Sequence, residues 1–257
     1  MWVVDSVMDN IPRRTPDPQT LSRCKIISHR GEHDNRHVME NTLDAFHSAV
    51  NTGVWGIECD IRFTRDLVPV ICHDPCGTRV FGLTSLISEL TLAQLRKAEP
   101  RIPTLAEVIE TFGKSTHLML ELKEALWPDP QRQRDSLEAL LAPLSPIQDY
   151  HILALNPDLF ERVDFVPNAA CLPVAEFNFA QLSRVALERG YAGLGGHYVL
   201  LGKAYFERHS AQNQRLGVGF PRSKNALFRE LNRGNDWIFS NDAVNLQTIL
   251  NAHRATS

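Results

Sequence analysis

A (β/α)8 TIM barrel, carrying a hairpin and a small insertion after its second strand, is the fold that this 257-residue sequence predicts. Three observations carry that expectation. Short β-branched or aliphatic runs alternate with amphipathic stretches from residue 23 onward, the pattern of parallel strands joined by crossover helices. Eight such runs are present, and the last five begin 19 to 25 residues apart, close to the minimum for a strand, a loop and a short helix. No G-x-G-x-x-G follows the first run, as an open doubly wound sheet would favour.

Taken in order, residues 1–22 lack periodicity and hold Pro12, Pro16 and Pro18, so they read as a loosely ordered N-terminal arm ahead of a barrel domain at 23–257. The expected strands are Lys25–Ser28, Gly56–Ile61, Leu118–Leu122, His151–Leu155, Ala170–Val174, Tyr191–Leu194, Leu216–Phe220 and Trp237–Ser240. The second unit is long: about 60 residues separate its strand from the next. They include an apolar run, Val68–Cys72, and a helical stretch near Leu92–Lys97, which read as a hairpin and an insertion over the barrel mouth.

Composition narrows the classes of function. With 43% hydrophobic and 22% charged residues the chain has material for a substantial core. Its 27 basic against 30 acidic residues give no footprint for nucleic acid. No apolar run reaches the roughly 18 to 20 residues that a transmembrane helix needs. Asp5 and Asp9 stand where a signal peptide would carry basic residues, and the odd set Cys24, Cys59, Cys72, Cys76 and Cys171 lacks zinc-site spacing, so the expectation is a cytoplasmic protein with reduced thiols.

A barrel gathers its chemistry at the carboxyl ends of the strands. The first run leaves as His29-Arg30-Gly31, where the glycine would let backbone approach a ligand. Glu58 and Asp60 stand two apart, so a strand aims both carboxylates to one side, and Glu121 and Lys123 repeat the device. Like charges so placed call for a cation or a basic neighbour such as Arg62 between them. Three carboxylates without convergent Cys or His make an oxygen-rich site that suits Mg²⁺ or Ca²⁺ rather than zinc. His73-Asp74 closes the hairpin run and returns a second imidazole to the mouth, where His29 and His73 would serve as general acid and base. Arg30 and Lys123 would hold a phosphate, although a structural ion pair accounts for Lys123 equally well. Together these residues read as metal-assisted phosphoryl transfer.

The series His29-Arg30-Gly31, Glu40-Asn41-Thr42, Gly56-Ile57-Glu58-Cys59-Asp60, Thr64-Arg65-Asp66, Pro69-Val70, His73-Asp74, Pro103-Thr104-Leu105 and Glu121-Leu122-Lys123 resembles the glycerophosphodiester phosphodiesterase family in order and spacing over residues 25–123. The resemblance implies a barrel of the phosphatidylinositol-phospholipase-C-like kind. It also implies hydrolysis of a small-molecule glycerophosphodiester to an alcohol and glycerol 3-phosphate, with Mg²⁺ or Ca²⁺ as cofactor. By position it makes His29 and His73 the acid/base pair, Glu58, Asp60 and Glu121 the metal ligands, and Arg30 and Lys123 the phosphate contacts. Glu40 would orient His29 and Arg30, or complement a helix dipole.

The second half departs from the family pattern at Leu155-Asn156, at Gly217-Val218-Gly219-Phe220-Pro221 and at Ser240-Asn241-Asp242, which leaves the alcohol specificity open. Arg222 and Lys224 would bind a second anionic group or be solvated charges, and His197 and Glu176 read as polar rim residues. His33, His37 and His47 carry no signal. One rival is a phospholipase-D-like hydrolase of lysophospholipid head groups, its apolar mouth supplied by Val80, Phe81, Leu83, Leu86 and Ile87 of the insertion. The other is a barrel that binds a phosphodiester without turnover.

Overall fold

The protein is described here by a computed structural model over residues 9–124 and 127–255. Residues 1–8 of the expected arm lie outside the described residues. Eight parallel strands close into a barrel: β1 (Lys25–His29), β2 (Gly56–Phe63), β4 (His117–Leu122), β5 (Tyr150–Ala154), β6 (Cys171–Ala175), β7 (Gly193–His197), β8 (Arg215–Gly219) and β9 (Trp237–Ser240). Each pairs with its neighbours, and the β1–β2 and β1–β9 ladders complete the ring. The short β3 (Pro69–Ile71) pairs antiparallel with the end of β2, which forms the expected hairpin.

The period of two sorts the strands into two faces. Ile57, Cys59 and Ile61 of β2 and Leu118, Leu120 and Leu122 of β4 belong to the core between barrel and helices. The alternate residues turn inward, where Ile27, Met119, Leu153, Leu172, Trp237 and Phe239 pack as a separate interior cluster. Helices begin at side-chain caps: Thr42 accepts from the Ala45 amide at the start of Leu43–Val50, and Thr104 and Glu107 form a reciprocal box at the start of Leu105–Phe112.

Several elements differ from expectation. The sixth parallel strand is Gly193–His197 rather than Tyr191–Leu194, because close approach of β7 to β8 sets its position. A Cβ at Gly193 would lie 1.7 Å from the Arg215 carbonyl oxygen, while Tyr191 is left to pack edge-on against Phe160. Gly31, in a left-handed conformation at φ +78°, brings backbone against Ala45 of the following helix, 2.7 Å from where its Cβ would stand, so its freedom serves packing rather than ligand approach. Within the expected arm, Pro18–Arg23 is a helix capped by Asp17, with Leu21 fully buried in the core. Arg254 of the last helix donates to the carbonyls of Leu21, Ser22 and Cys24 and fixes that helix across the barrel base.

The insertion packs on the hairpin. Phe81 and Leu83 join Val70, Cys72, Ile87, Leu95 and Ile102 in a third small core, and the helix Leu92–Ala98 is closed by a Thr91–Gln94 capping box. These apolar residues cover the β3 side and do not line the mouth.

Candidate active site

Register brings the charged residues together. In the parallel ladders His29 lies opposite Glu58, and Asp60 opposite Glu121, so three strands deliver one imidazole and three carboxylates to the same end of the interior. Oxygen atoms of Glu58, Asp60 and Glu121 all lie within 4.8 Å of one another, and all three residues are buried. A cavity of about 300 Å³ opens above them and is lined by His29, Arg30, Glu58, His73, Glu121 and Lys123 together with residues of β5 to β9. Asp60 lies behind that lining.

Asp60 is the most heavily bonded of the three. Its Oδ2 accepts from Asn41 Nδ2 at 2.7 Å and lies 3.2 Å from Arg30 Nε, while Oδ1 lies 2.8 Å from the Lys123 ammonium. Burial pushes this carboxyl upward, but Lys123 and Arg30 outweigh burial and hold it below the ordinary range. Glu121 accepts from Lys123 at 2.5 Å. Glu58 Oε2 accepts only the Arg30 amide, at 3.2 Å, and Oε1 has no hydrogen-bond partner among the described residues; burial, then the charges of Asp60 and Glu121, drive this carboxyl well above the ordinary range. Fully ionised, the three carboxylates would exceed the two cations Arg30 and Lys123 by one negative charge, and it is Glu58, with its orphaned buried oxygen, that resists ionising without a further cation. A hard divalent cation fits that donor set.

Each histidine is held by its Nδ1. His29 donates from Nδ1 to Asn241 Oδ1 at 2.6 Å, and its Nε2 stands 3.7 Å from Glu58 Oε2. Burial and the adjacent Arg30 bring its pKa down to about 4. His73 donates from Nδ1 to Asp74 Oδ1 at 2.7 Å, and the Arg62 guanidinium holds its carbonyl at 2.9 and 2.7 Å. Arg30 takes a left-handed conformation, φ +59°, which aims its amide at the Glu58 carbonyl oxygen at 3.0 Å and its guanidinium at Glu40 at 3.0 Å and at Asp60. Glu40 therefore acts on Arg30 through a side-chain bond, while the N-cap of the Leu43–Val50 helix is Thr42.

All seven expected residues thus meet at one end of the barrel. Lys123 and Arg30 are both engaged by carboxylates, as the ion-pair reading of Lys123 expects, and both side chains also line the cavity. Arg62 serves the His73 backbone and does not lie between the carboxylates. Arg222 pairs with Asp242, and neither Arg222 nor Lys224 lines the cavity, whereas Glu176 and His197 do. Sequence reasoning missed Asn41, Asn241 and Arg79. Asn41 and Asn241 stand inside segments singled out for order, so their signal was present without a role. Arg79 lies in the insertion and donates to both oxygens of Glu40, at 2.9 and 2.6 Å, and to Asp74 at 2.8 Å.

Comparison with known proteins agrees with this geometry. Residues 29–154 match the model of the glycerophosphoryl diester phosphodiesterase family. A glycerophosphodiester phosphodiesterase of Caldanaerobacter subterraneus subsp. tengcongensis is 32% identical over 127 residues, 45% of this chain and 51% of that protein. Human glycerophosphodiester phosphodiesterase 1 is 38% identical over 116 residues, 39% of this chain and 34% of that protein. The matched stretch thus spans about half, or a third, of the length of these relatives. The glycerophosphodiester phosphodiesterase structure from Thermotoga maritima superposes with a TM-score of 0.72 at 21% identity, covering 88% of this chain and 98% of that one. An Oleispira antarctica phosphodiesterase, solved with its product sn-glycerol-3-phosphate, gives 0.72 at 23% identity over 90% and 99%. These two share the fold. Through residues 29–154, which supply the histidines, the carboxylates and both cations of the cluster, the chain belongs to the glycerophosphoryl diester phosphodiesterase family.

Proposed function

We propose that the protein hydrolyses glycerophosphodiesters to an alcohol and glycerol 3-phosphate, with residues 23–257 as one catalytic barrel. The observation that carries this reading is the meeting of two Nδ1-anchored histidines and three buried carboxylates at one cavity mouth. Glu58, Asp60 and Glu121 would hold a divalent cation, Mg²⁺ or Ca²⁺, whose chemistry there is to neutralise charge on a non-bridging phosphate oxygen. Arg30 and Lys123, set among the carboxylates, direct positive charge to the same phosphate.

The two histidines divide the proton work. His29 is neutral well below neutral pH, which suits the base that takes the proton from the nucleophile, either water or the glycerol 2-hydroxyl. His73 alone has a carboxylate on its Nδ1, and Asp74 stabilises the imidazolium that protonates the departing alkoxide as the phosphorus–oxygen bond breaks. Attack by the 2-hydroxyl would pass through a cyclic phosphate that a second addition of water opens. Its absence at every time point in product analysis would leave direct attack by water.

The test is hydrolysis of glycerophosphocholine and glycerophosphoethanolamine by the purified protein. It is run with chelator, with Mg²⁺ or Ca²⁺ restored, and beside His29→Ala and Glu58→Ala. Turnover that chelator abolishes, that either ion restores and that both variants lack is the expected result. Turnover indifferent to chelator, or retained by either variant, would refute the assignment.

A further inference from the structure

The period of two that sends His29, Glu58, Asp60 and Glu121 to one end of the barrel interior sends a different set to the other end. Lys25, His117, His151, Arg215 and Trp237 are the first or second residues of β1, β4, β5, β8 and β9, in step with the interior Ile27, Met119, Leu153 and Phe239. A barrel interior is ordinarily filled by bulky branched side chains, whereas this floor holds two cations and two imidazoles. The Lys25 ammonium lies 4.3 Å from the centre of the Trp55 ring, which stacks on His117 at 4.1 Å. The Arg215 guanidinium lies 5.8 Å from that of Trp237, which stands edge-on to His151 at 4.9 Å. Arg215 pairs with Asp236, but Lys25 has no ion-pair partner among the described residues.

Hydrogen bonding fixes both imidazole tautomers. His117 Nδ1 lies 2.9 Å from the Gln148 carbonyl oxygen, which can only accept, so Nδ1 carries the proton. Burial keeps the His117 ring neutral, and its Nε2 therefore accepts from His151 Nδ1 at 2.8 Å. His151, held neutral by burial and then by His117, Lys25 and Arg215, is left with a lone pair on Nε2. That nitrogen has no hydrogen-bond partner among the described residues, although His151 is only 3% exposed. The buried Trp237 Nε1 is a donor equally without a partner there. Both residues line a cavity of about 390 Å³, which Lys25 and Arg215 also line, with the amides of Gln212 and Asn213 and without a carboxylate among the described residues.

We propose that this cavity at the barrel base is a second ligand site, and that its ligand is hydrogen phosphate. Lys25 and Arg215 require an anion, and the His151 lone pair requires a donor on that same anion. A P–OH group is such a donor, and hydrogen phosphate keeps one across the neutral range while its remaining oxygens meet the two cations. Sulfate has none there, and a phosphomonoester, whose second pKa is about 6, has lost its own. The apolar layer of Ile27, Met119, Leu153 and Leu172 lies between this floor and the carboxylate cluster, so the site stands apart from the phosphodiesterase reading.

The test reads the floor directly. Inorganic phosphate, sulfate and methyl phosphate are titrated at pH 7.5 and matched ionic strength into Mg²⁺-loaded protein with ¹⁵N-labelled histidine. Binding is followed at the ring nitrogens of His117 and His151, remote from any anion held at the carboxylate cluster. Phosphate should move the His151 Nε2 resonance saturably and bind there at least about tenfold tighter than sulfate or methyl phosphate, the low end of what one hydrogen bond to a charged group contributes. Lys25→Met should weaken phosphate at this site at least about tenfold, since it removes the cation that has no partner of its own. Resonances that phosphate leaves in place overturn the proposal, as does equal affinity for sulfate or a Lys25→Met protein that binds phosphate like the wild type. Should Lys25→Met fail to fold, the comparison of phosphate with sulfate in the wild type decides alone.

Discussion

Arg79 links the insertion to both sides of the reacting centre, and its removal should reveal how much of the chemistry depends on that link. Its guanidinium donates twice to Glu40, which also holds Arg30, and once to Asp74, which holds His73. Breaking a buried ion pair by removing one partner costs about 3–5 kcal/mol. Here Glu40 keeps Arg30 and Asn35, and the Arg79 side chain is 46% exposed, so solvent screening reduces the expected loss to about 2 kcal/mol. For a chain of this size that is a fall in Tm of roughly 4–8 °C. Activity should suffer more, because a misplacement of about 1 Å in a proton-transfer group can cost about a hundredfold. Arg79→Ala is expected to lower kcat on glycerophosphocholine by about ten- to a hundredfold. KM should stay within about twofold, since Arg79 does not line the substrate cavity. Arg79→Lys, which keeps the charge and loses the planar fork, should fall between. Steady-state kinetics beside a thermal melt make the measurement. An Arg79→Ala enzyme with unchanged kcat, or one whose loss lies in KM, would refute the reasoning.

Three further outcomes follow from the same geometry. If His73 protonates the leaving alkoxide, His73→Ala should lose at least a hundredfold on glycerophosphocholine but less than tenfold on a p-nitrophenyl phosphodiester, whose leaving group needs no proton, while His29→Ala should fail on both; equal losses for the two substrates would remove the assignment. Because burial and its anionic neighbours raise the Glu58 carboxyl well above the ordinary range, cation binding, which needs the ionised carboxylate, should release protons, and Glu58→Gln should diminish that release in calorimetry run in buffers of different ionisation enthalpy. At the barrel base, His117 Nε2 accepts from His151 Nδ1 at 2.8 Å, and burial brings the two pKa values down to about 4 and about 3. Above the ordinary value of 6.5 both are neutral folded or unfolded. Below it the unfolded chain takes up protons that the folded pair refuses, so stability falls as pH drops from 6.5 toward 4. Lowering the pH from 7.5 to 5.5 should cost the wild type about 1–3 kcal/mol more, by urea unfolding, than a His117→Phe, His151→Leu variant; identical slopes would show the pair to be irrelevant.

What the sequence made legible was whatever a single strand encodes. A period of two is enough to place Glu58 with Asp60 and Glu121 with Lys123, and the even spacing of the later runs is enough for a barrel. The contacts that sequence reasoning missed are those that exist only once the ring closes. Asn241 reaches His29 across 212 residues, because β9 returns to the side of β1, and nothing local to either residue shows that pairing. Arg79 escaped notice because a four-residue helix inside an insertion has no periodicity to read, and its partners lie on other elements. The sixth parallel strand was misplaced for the opposite reason. Strand propensity favours Tyr191 and disfavours glycine, but the space beside Arg215 admits only glycine at 193.

The stretch that matches the family ends at residue 154, the last residue of β5, so it takes in every carboxylate and cation of the cluster and none of the strands from β6 onward. That boundary has a physical reason. Phosphoryl chemistry needs particular charges at particular atoms, and a carboxylate moved by one residue faces the wrong side of the sheet. An apolar wall needs only side chains of suitable volume, a condition that many sequences meet while the barrel persists, as it does at 21 to 23% identity in the two solved structures described above. The polar half is therefore where the reaction is legible in the sequence. The half from β5 onward, where Leu155, Glu176, Phe177, His197 and Leu200 line the same cavity, is where the group beyond the phosphate has to be read from geometry.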